Sequence, residues 1–265
     1  MRDFYASSMP MPLDAPRDQA QGLRKLFAGN RQRVLPLAAN PHVAFSGVVL
    51  DQVTAALVQR GHRVLVVDAA DRSPAPPEIA AIDLPACIET LSPQVSYLAG
   101  RGLPLAHVDT RGSASGFIDA LMQAAPQCDV ILLHANATDL ARMFMRRAAR
   151  PMLMGADHPE SIKHAYASCK LLAQRCWLMT FDLLLAAEPG SRRVPSIAQT
   201  LASTADGFVG ALLHDWAVID PAAGPRTAPD AALERLIAAQ MTLNDEVLAP
   251  YVQAPAARTI ARRAN

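Results

Sequence analysis

The sequence has almost no excess of charge of either sign. Its 265 residues include 25 lysine and arginine side chains against 24 aspartate and glutamate side chains, which gives a formal net charge of +1. A chain that attracts nucleic acid through its overall field needs a large basic excess, so we expect no nucleic-acid partner. The local cluster RRAAR at 146–150 could contact an acidic partner, although a solvated helix end is the simpler interpretation.

Paired cysteines and long apolar runs are also missing. No apolar run approaches the roughly 20 residues that span a bilayer, and the first residues do not resemble a secretion signal. No spacing of histidine or cysteine matches a zinc site, so we expect no metal. A cytoplasmic protein with reduced thiols is predicted. Its four cysteines form no CxxC pair and are interpreted as small buried hydrophobic residues: Cys87, Cys128, Cys169 and Cys176.

Short apolar runs that alternate with helical patterns are what the sequence does contain. With 51% apolar residues the chain can bury one complete core. Continuous apolar strands separated by helices predict a doubly wound α/β fold, with a mainly parallel sheet of about seven strands and helices on both faces. The predicted strands are 33–39, 63–69, 104–109, 129–135, 151–156, 176–185 and 208–213. The predicted helices are 47–60, 83–99, 113–125, 138–149, 159–174 and 194–205.

Two proline-containing segments flank this pattern and suggest three regions. Residues 1–30 are predicted to be a mobile leader that carries a short helix within RDQAQGLRKLF (17–27), and 31–221 form the α/β domain. Residues 222–265 hold the rest of the linker DPAAGPRTAPD (220–230) and a C-terminal amphipathic helix.

The leader helix has the features of a ligand for a groove. Asp18 can cap its start, Arg24 and Lys25 complement its end, and Leu23, Leu26 and Phe27 form an apolar face. An isolated helix of this length is marginal in water, so we expect it to order on a partner, the alternative being that it docks on its own domain.

The first strand-to-helix turn is where a doubly wound sheet usually binds its ligand. Here it reads AANPHVAFSGVVLDQV (38–53), and its only glycine is Gly47. A phosphate cradle of the GxxxxGK[ST] type needs glycines and a lysine, yet no lysine occurs between Lys25 and Lys163. The turn alone therefore favours a purely structural role.

The order of four segments resembles the MinD/ParA class of deviant P-loop ATPases. The segments are RGHRVLVVDAADRSP (60–74), QCDVILLHANATDLARMF (127–144), PMLMGADHPESIKHAYASCKLLAQR (151–175) and GFVGALLHDWAVIDP (207–221). The resemblance covers most of 33–221. It implies the fold already predicted and points to a nucleotide pocket at the turn after the first strand.

The leader narrows the resemblance to the FlhG/FleN branch of flagellar number regulators. DQAQGLR is similar to that branch's DQAxxLR motif, which is associated with stimulating the FlhF-type GTPase. The resemblance therefore implies that this GTPase is the partner, and that a flagellar transcriptional activator is a further candidate. The partner-binding residues it implies are Asp18, Gln19, Ala20, Gly22, Leu23 and Arg24.

The pocket residues depart from the family pattern. When RVLVVD is matched to the family's second strand, Pro41 takes the place of the signature lysine, Ser46 that of the P-loop lysine, and Gly47 that of its serine or threonine. His134 replaces the Walker B aspartate, although Asp68 still matches the acidic residue that ends strand two. Without the cation and hydroxyl, a magnesium-bound triphosphate loses its main ligands. We therefore expect a vestigial pocket with no catalytic residue and no cofactor, in which Asp68 is a capping carboxylate or keeps some functional role.

The C-terminal helix leaves two interpretations open. Residues 231–241 place Leu233, Leu236, Ile237 and Met241 on one face, as in the membrane-binding helices of MinD-like proteins. The same face could instead pack on the sheet, because its polar side has few basic residues. Peripheral contact with the inner membrane is thus one of two expectations.

Two functions follow from these observations. The first is a non-catalytic regulator of flagellar biosynthesis, a pseudo-ATPase that binds the FlhF-type GTPase through DQAQGLR. The second is a MinD/ParA-like ATPase with a non-standard loop that still binds ATP and Mg²⁺ and acts in flagellar or polar positioning.

Overall fold

The computed structural model describes residues 32–224 and 227–243. The leader motif, Asp18 to Arg24, lies outside these residues. The described residues form one eight-stranded sheet in the order β3-β4-β2-β5-β1-β6-β7-β8. The strands are β1 (Arg33–Ala38), β2 (Val64–Asp68), β3 (Glu89–Ser92), β4 (Val95–Ala99), β5 (Val130–Ala135), β6 (Met152–Ala156), β7 (Thr180–Ala186) and β8 (Leu212–Ile219).

Seven helices connect and cover the strands in the described part of the chain. They are α1 (Ser46–Gln59), α2 (Leu103–Ala106), α3 (Ser115–Ala124), α4 (Ala137–Met143), α5 (Pro159–Cys176), α6 (Val194–Val209) and α7 (Ala231–Met241). Every strand pair is parallel except β3 with β4. The predicted doubly wound α/β fold is therefore confirmed, with eight strands.

The core has two layers, one on each face of the sheet. The apolar side chains of α1 and α7 pack on one face, and those of α3 to α6 pack on the other. The central strand β5 is buried along its whole length, which explains the unbroken apolar run VILLHA. All carboxyl ends of the parallel strands meet at one edge, where the first strand-to-helix turn also lies.

Two sequence predictions were wrong in type. The predicted helix at 83–99 contains a short 3₁₀ turn at Pro85–Cys87 followed by the antiparallel pair β3 and β4. Ser92 Oγ accepts hydrogen bonds from the Gln94 and Val95 amides and so stabilises the turn between them. The predicted strand at 104–109 begins in the single-turn helix α2. The apolar residues of both segments were assigned the wrong period, and several of them, among them Leu91 and Leu105, are exposed.

Other differences concern boundaries. α5 continues through Cys176, so β7 begins at Thr180, and α6 continues through Val209, so β8 begins at Leu212. α4 ends at Met143 rather than near residue 149. Helices α5 and α6 end in left-handed residues, Trp177 and Gly210, which a sequence pattern locates poorly.

The C-terminal helix packs on the sheet. Leu233, Leu236 and Ile237 of α7 are buried in the layer that also contains α1. Gln240 Nε2 donates to Asp182 Oδ2 at 2.8 Å and to the Arg150 carbonyl at 2.9 Å, which fixes the end of α7 on the sheet. Of the two interpretations, packing is the one observed for 231–241. Across the described ranges, none of the helices combines the length and apolarity that a membrane span requires.

Candidate functional site at the carboxyl ends of the strands

The loop between β1 and α1 uses its own amides for internal hydrogen bonds. The Ala39 amide donates to the Ala135 carbonyl at 2.8 Å, and the Val43 amide donates to the Asn40 carbonyl at 3.0 Å. The His42 amide donates to Asn40 Oδ1 at 3.0 Å, while Pro41 has no amide hydrogen to donate. In this conformation these amides do not form a cradle around an anion.

Asn40 is buried and ties the loop to two neighbouring elements. Its Nδ2 donates to the carbonyls of Met154 on β6, at 2.8 Å, and Ser161 on α5, at 2.9 Å. Ser161 Oγ also accepts a hydrogen bond from the Ala156 amide at 2.9 Å. Sequence analysis missed this role of Asn40. The one available signal was a polar residue directly after a buried strand and before a proline.

The first turn of α1 holds two of the sequence-predicted pocket residues. Ser46 is the first residue of the helix and is half-buried, and Gly47, the second, is exposed. A Cβ atom added at Gly47 would meet nothing within 4 Å. Phe45 occupies the N-cap position and gives no side-chain cap, and the first turn contains no acidic residue. The helix start thus keeps its partial positive charge, with no lysine beside it.

Besides Pro41 in the loop, the remaining two pocket residues are Asp68 and His134, which lie directly opposite each other. They are paired in the register of β2 with β5, and Asp68 Oδ1 accepts a hydrogen bond from His134 Nδ1 at 2.7 Å. Ser73 Oγ donates to the same carboxylate oxygen. Burial raises the pKa of Asp68, but the hydrogen bonds from His134 and Ser73 outweigh burial, and the pKa falls below its ordinary value of 3.8. The carboxylate is therefore ionised at neutral pH.

His134 leaves one ring nitrogen without a partner. Its side chain is 4% exposed, and Nε2 is buried with no hydrogen-bond partner among the described residues. Side chains alternate along a strand, so His134 lies on the same face as Leu132, which packs in the layer that contains α1. The aspartate–histidine pair is thus under the α1 face of the sheet, in the region that the sequence predicted as a vestigial pocket.

These residues do not match what a magnesium-bound triphosphate requires. Mg²⁺ prefers several oxygen ligands, whereas here a nitrogen base occupies one position and the neighbouring carboxylate already accepts two side-chain hydrogen bonds. In the part of the chain that the structure describes, no group of three histidine, cysteine, aspartate or glutamate residues could hold a metal ion. The sequence-predicted residues lie near the carboxyl ends of β1, β2 and β5, and among them Asp68 and His134 are hydrogen-bonded to each other.

A cavity of about 430 Å³ lies beside this pair between α4 and α5. Asn136 Nδ2 donates to Asp71 Oδ1 and to Asp139 Oδ2, both at 3.0 Å, and so holds the acidic wall of the cavity in place. On the opposite wall, His164 makes an edge-on contact with His42 of the β1–α1 loop, with ring centroids 5.9 Å apart. Burial and His42 lower the pKa of His164, so its imidazole is neutral at pH 7. Sequence analysis singled out none of these cavity residues for function.

The fold is a doubly wound α/β architecture of the kind also seen in solved MinD and ParA family structures. No family model and no curated protein matches the sequence. The structure is similar to the MinC–MinD cell division complex of Aquifex aeolicus, with a TM-score of 0.55 and 11% identity over 80% of this chain and 96% of that chain.

Two further solved structures share the fold. A ParA family ATPase from Chlorobium tepidum TLS matches with a TM-score of 0.51 and 14% identity, over 79% of this chain and 98% of that one. Cobyrinic acid a,c-diamide synthase from Mycobacterium smegmatis, solved with a bound ATP analogue and magnesium, matches with a TM-score of 0.52 and 17% identity, over 79% and 94%. At these identities the likeness establishes the fold alone.

Proposed function

We propose that this protein is a MinD-like pseudo-ATPase that regulates flagellar biosynthesis by binding a partner, without turning over nucleotide. The observation that carries the proposal is the internally bonded β1–α1 loop. The Ala39, His42 and Val43 amides and the Asn40 side chain make hydrogen bonds within the domain. Phosphoryl transfer depends on donors and cations that converge on the phosphates, whereas these three amides bond elsewhere and the loop carries no lysine.

The Asp68–His134 pair supports the same proposal. A carboxylate that orients a metal or a water must present a free oxygen to the ligand. Asp68 Oδ1 accepts from both His134 and Ser73, and this oxygen therefore holds the ends of β2 and β5 together and is not presented to a ligand. Of the two roles left open for Asp68 by the sequence, this contact favours the structural one.

The partner follows from the leader motif. DQAQGLR resembles the FlhG/FleN motif that engages the FlhF-type GTPase, and we propose that Gln19 and Leu23 carry this contact. A short amphipathic helix binds through apolar side chains spaced by three or four residues, here Leu23, Leu26 and Phe27. A flagellar transcriptional activator is a second candidate partner of the same branch.

A nucleotide titration tests the pseudo-ATPase proposal. The full chain is titrated with ATP and Mg²⁺ by calorimetry, and phosphate release is followed in the same samples. We expect no binding in the micromolar range and no turnover. Micromolar binding that disappears in an Asp68→Ala variant would overturn the proposal, because it would place a working site at the vestigial pocket.

A binding assay with the purified FlhF-type GTPase tests the partner. Gln19→Ala and Leu23→Ala should weaken binding and remove any stimulation of GTP hydrolysis. Gln21→Ala is a matched control, because it lies in the same segment at a position that the DQAxxLR motif leaves unspecified. Wild-type binding by both motif variants would show that the leader helix is not the contact.

One observation favours the second candidate, a nucleotide-binding ATPase with a non-standard loop. The start of α1 has no side-chain cap and no acidic residue in its first turn, and the space beside Gly47 is open. Free amides at a helix start attract anions, so a phosphate group could be held there without a lysine. The titration above distinguishes the two candidates directly.

A further inference from the structure

Three large apolar side chains are exposed together at the end of the sheet opposite the candidate site. Trp177, Phe208 and Leu212 are 80%, 82% and 59% exposed, and we call them the basal patch. The Leu212 amide donates to the Met179 carbonyl at 2.7 Å, and a Cβ atom at Gly210 would lie 3.8 Å from Met179 Cε. Trp177 precedes Met179 by two residues, and Phe208 precedes Gly210 by two residues. The three exposed side chains therefore surround the contact of Met179 with Gly210 and Leu212.

Trp177 adopts a backbone conformation that normally favours glycine. It ends α5 with φ 59° and ψ 27°, in the left-handed region, while its amide donates to the Ala173 carbonyl. A side chain in this conformation is strained, and burial of the indole would be the usual compensation. Here the indole is in solvent instead. A bulky aromatic residue with a strained backbone and an exposed side chain indicates a contact with something other than this domain.

The surroundings of the basal patch are basic. Arg175 and Lys170 lie on the last two turns of α5, and Arg146 follows the end of α4. The ends of these two helices are in contact, because Cys176 Sγ donates a hydrogen bond to the Ala141 carbonyl. These three exposed cations form no ion pair among the described residues. Asp206, in the last turn of α6, is the acidic residue nearest to Phe208 in the sequence. The patch therefore combines protruding aromatic side chains with an excess of positive charge.

We propose that the basal patch is a peripheral contact to an anionic lipid bilayer. Aromatic side chains that project from helix ends can enter the boundary between headgroups and acyl chains, while nearby cations attract anionic lipid. A second copy of the chain would bring the same unpaired cations to the interface and is disfavoured. This surface is distinct from α7, whose apolar side chains are buried against the sheet. The inference does not depend on the proposed function.

Vesicle flotation with the full chain tests the contact. The probes are phosphatidylcholine vesicles and vesicles with about a third of phosphatidylglycerol. We expect binding to the anionic vesicles that weakens with salt, since the attraction is partly electrostatic. A Trp177→Ala/Phe208→Ala variant should bind at least about tenfold more weakly, and Arg146→Glu/Arg175→Glu should lose most of the salt-dependent part. Ile82→Ala removes an equally exposed apolar residue elsewhere and should bind as the wild type does.

Two further measurements distinguish vesicle binding through the basal patch from binding through the basic C-terminal residues. In a Trp216→Phe background the single remaining indole is Trp177, and its emission should shift to the blue on anionic vesicles. A full-length Arg258→Glu/Arg262→Glu/Arg263→Glu variant should still bind through the patch. The proposal is overturned if the wild-type protein does not bind anionic vesicles, or if only the triple arginine variant loses vesicle binding. It is also overturned if the Trp177→Ala/Phe208→Ala variant still binds vesicles but no longer binds the GTPase partner.

Discussion

At the scale of single residues, the Asp68–His134 pair is the contact on which the proposal of a vestigial pocket depends most. Two groups that the sequence assigned to separate positions of a vestigial pocket are hydrogen-bonded at 2.7 Å across adjacent strands. The contact keeps the Asp68 pKa below 3.8 in spite of burial. A buried carboxylate with satisfied hydrogen bonds stabilises the fold only while it remains ionised.

We predict that Asp68→Asn destabilises the protein by about 1 to 3 kcal/mol at pH 7. The difference in unfolding free energy between wild type and Asp68→Asn should become smaller as the pH falls below 3.8 and through the lower pKa of Asp68 in the folded protein. At that pH the wild-type carboxyl is protonated and no longer makes the interaction that the variant lacks. Urea unfolding of both proteins between pH 7 and pH 3 measures this difference. Asp119→Asn, at an exposed ion pair, is the control and should change stability by less than about 1 kcal/mol. A pH-independent difference for Asp68→Asn would contradict the prediction.

At the scale of elements, Asn40 connects the β1–α1 loop to β6 and α5. The side chain is buried, and both of its polar atoms are used. Replacing it leaves the Ser161 and Met154 carbonyls with one donor fewer in a buried position.

Asn40→Ala should therefore cost about 2 kcal/mol and make the loop at 39–45 accessible to protease under native conditions. A double-mutant cycle with Ser161→Ala should give a coupling free energy of at least about 0.5 kcal/mol, because Asn40 also bonds Ser161 Oγ at 3.0 Å. Gln94→Ala, at an exposed turn, is expected to change stability by no more than about 0.5 kcal/mol. Additive effects of Asn40→Ala and Ser161→Ala would show that the two side chains do not act together.

Helix α7 provides the second prediction at this scale. Leu236 is completely buried between α7 and the sheet. Leu236→Ala should lower the free energy of unfolding by about 2 to 5 kcal/mol, whereas Glu234→Gln on the exposed side should have little effect. Denaturant unfolding without lipid measures both. If Leu236→Ala leaves stability unchanged, α7 is not part of the core in solution, and its apolar face becomes available for a membrane.

At the scale of the whole molecule, the fold retains the architecture that places a ligand at the carboxyl ends of its strands. The fold is similar to those of a MinD-containing structure and a ParA family ATPase, with TM-scores of 0.55 and 0.51. In this chain the Ala39, His42 and Val43 amides of the first loop bond within the domain, and Asp68 and His134 bond each other at the ends of β2 and β5.

Introducing the lysine and threonine that the family pattern has at positions 46 and 47 should not create nucleotide binding. We predict that Ser46→Lys/Gly47→Thr still shows no micromolar affinity for ATP and Mg²⁺, because Asn40 and Pro41 keep the loop amides from converging on a phosphate. The open space at Gly47 makes the variant sterically acceptable. Calorimetry measures binding, and the unfolding midpoint verifies that the variant folds. Micromolar binding would show that the hydrogen bonds of the loop do not prevent nucleotide binding.

The sequence by itself determined the class of fold, because continuous apolar strands such as VILLHA and helices such as 159–176 have patterns that only a covered parallel sheet satisfies. It also predicted that Asp68 and His134 lie at the carboxyl ends of strands, as the structure has them. Tertiary structure alone decided that 89–99 pairs as strands, that α7 packs on the sheet, and that Asp68 bonds His134. The physical reason is that each of these outcomes depends on which residues, distant in the sequence, become neighbours in the fold. The local sequence of an edge strand, of an amphipathic helix or around a buried carboxylate is compatible with more than one structure.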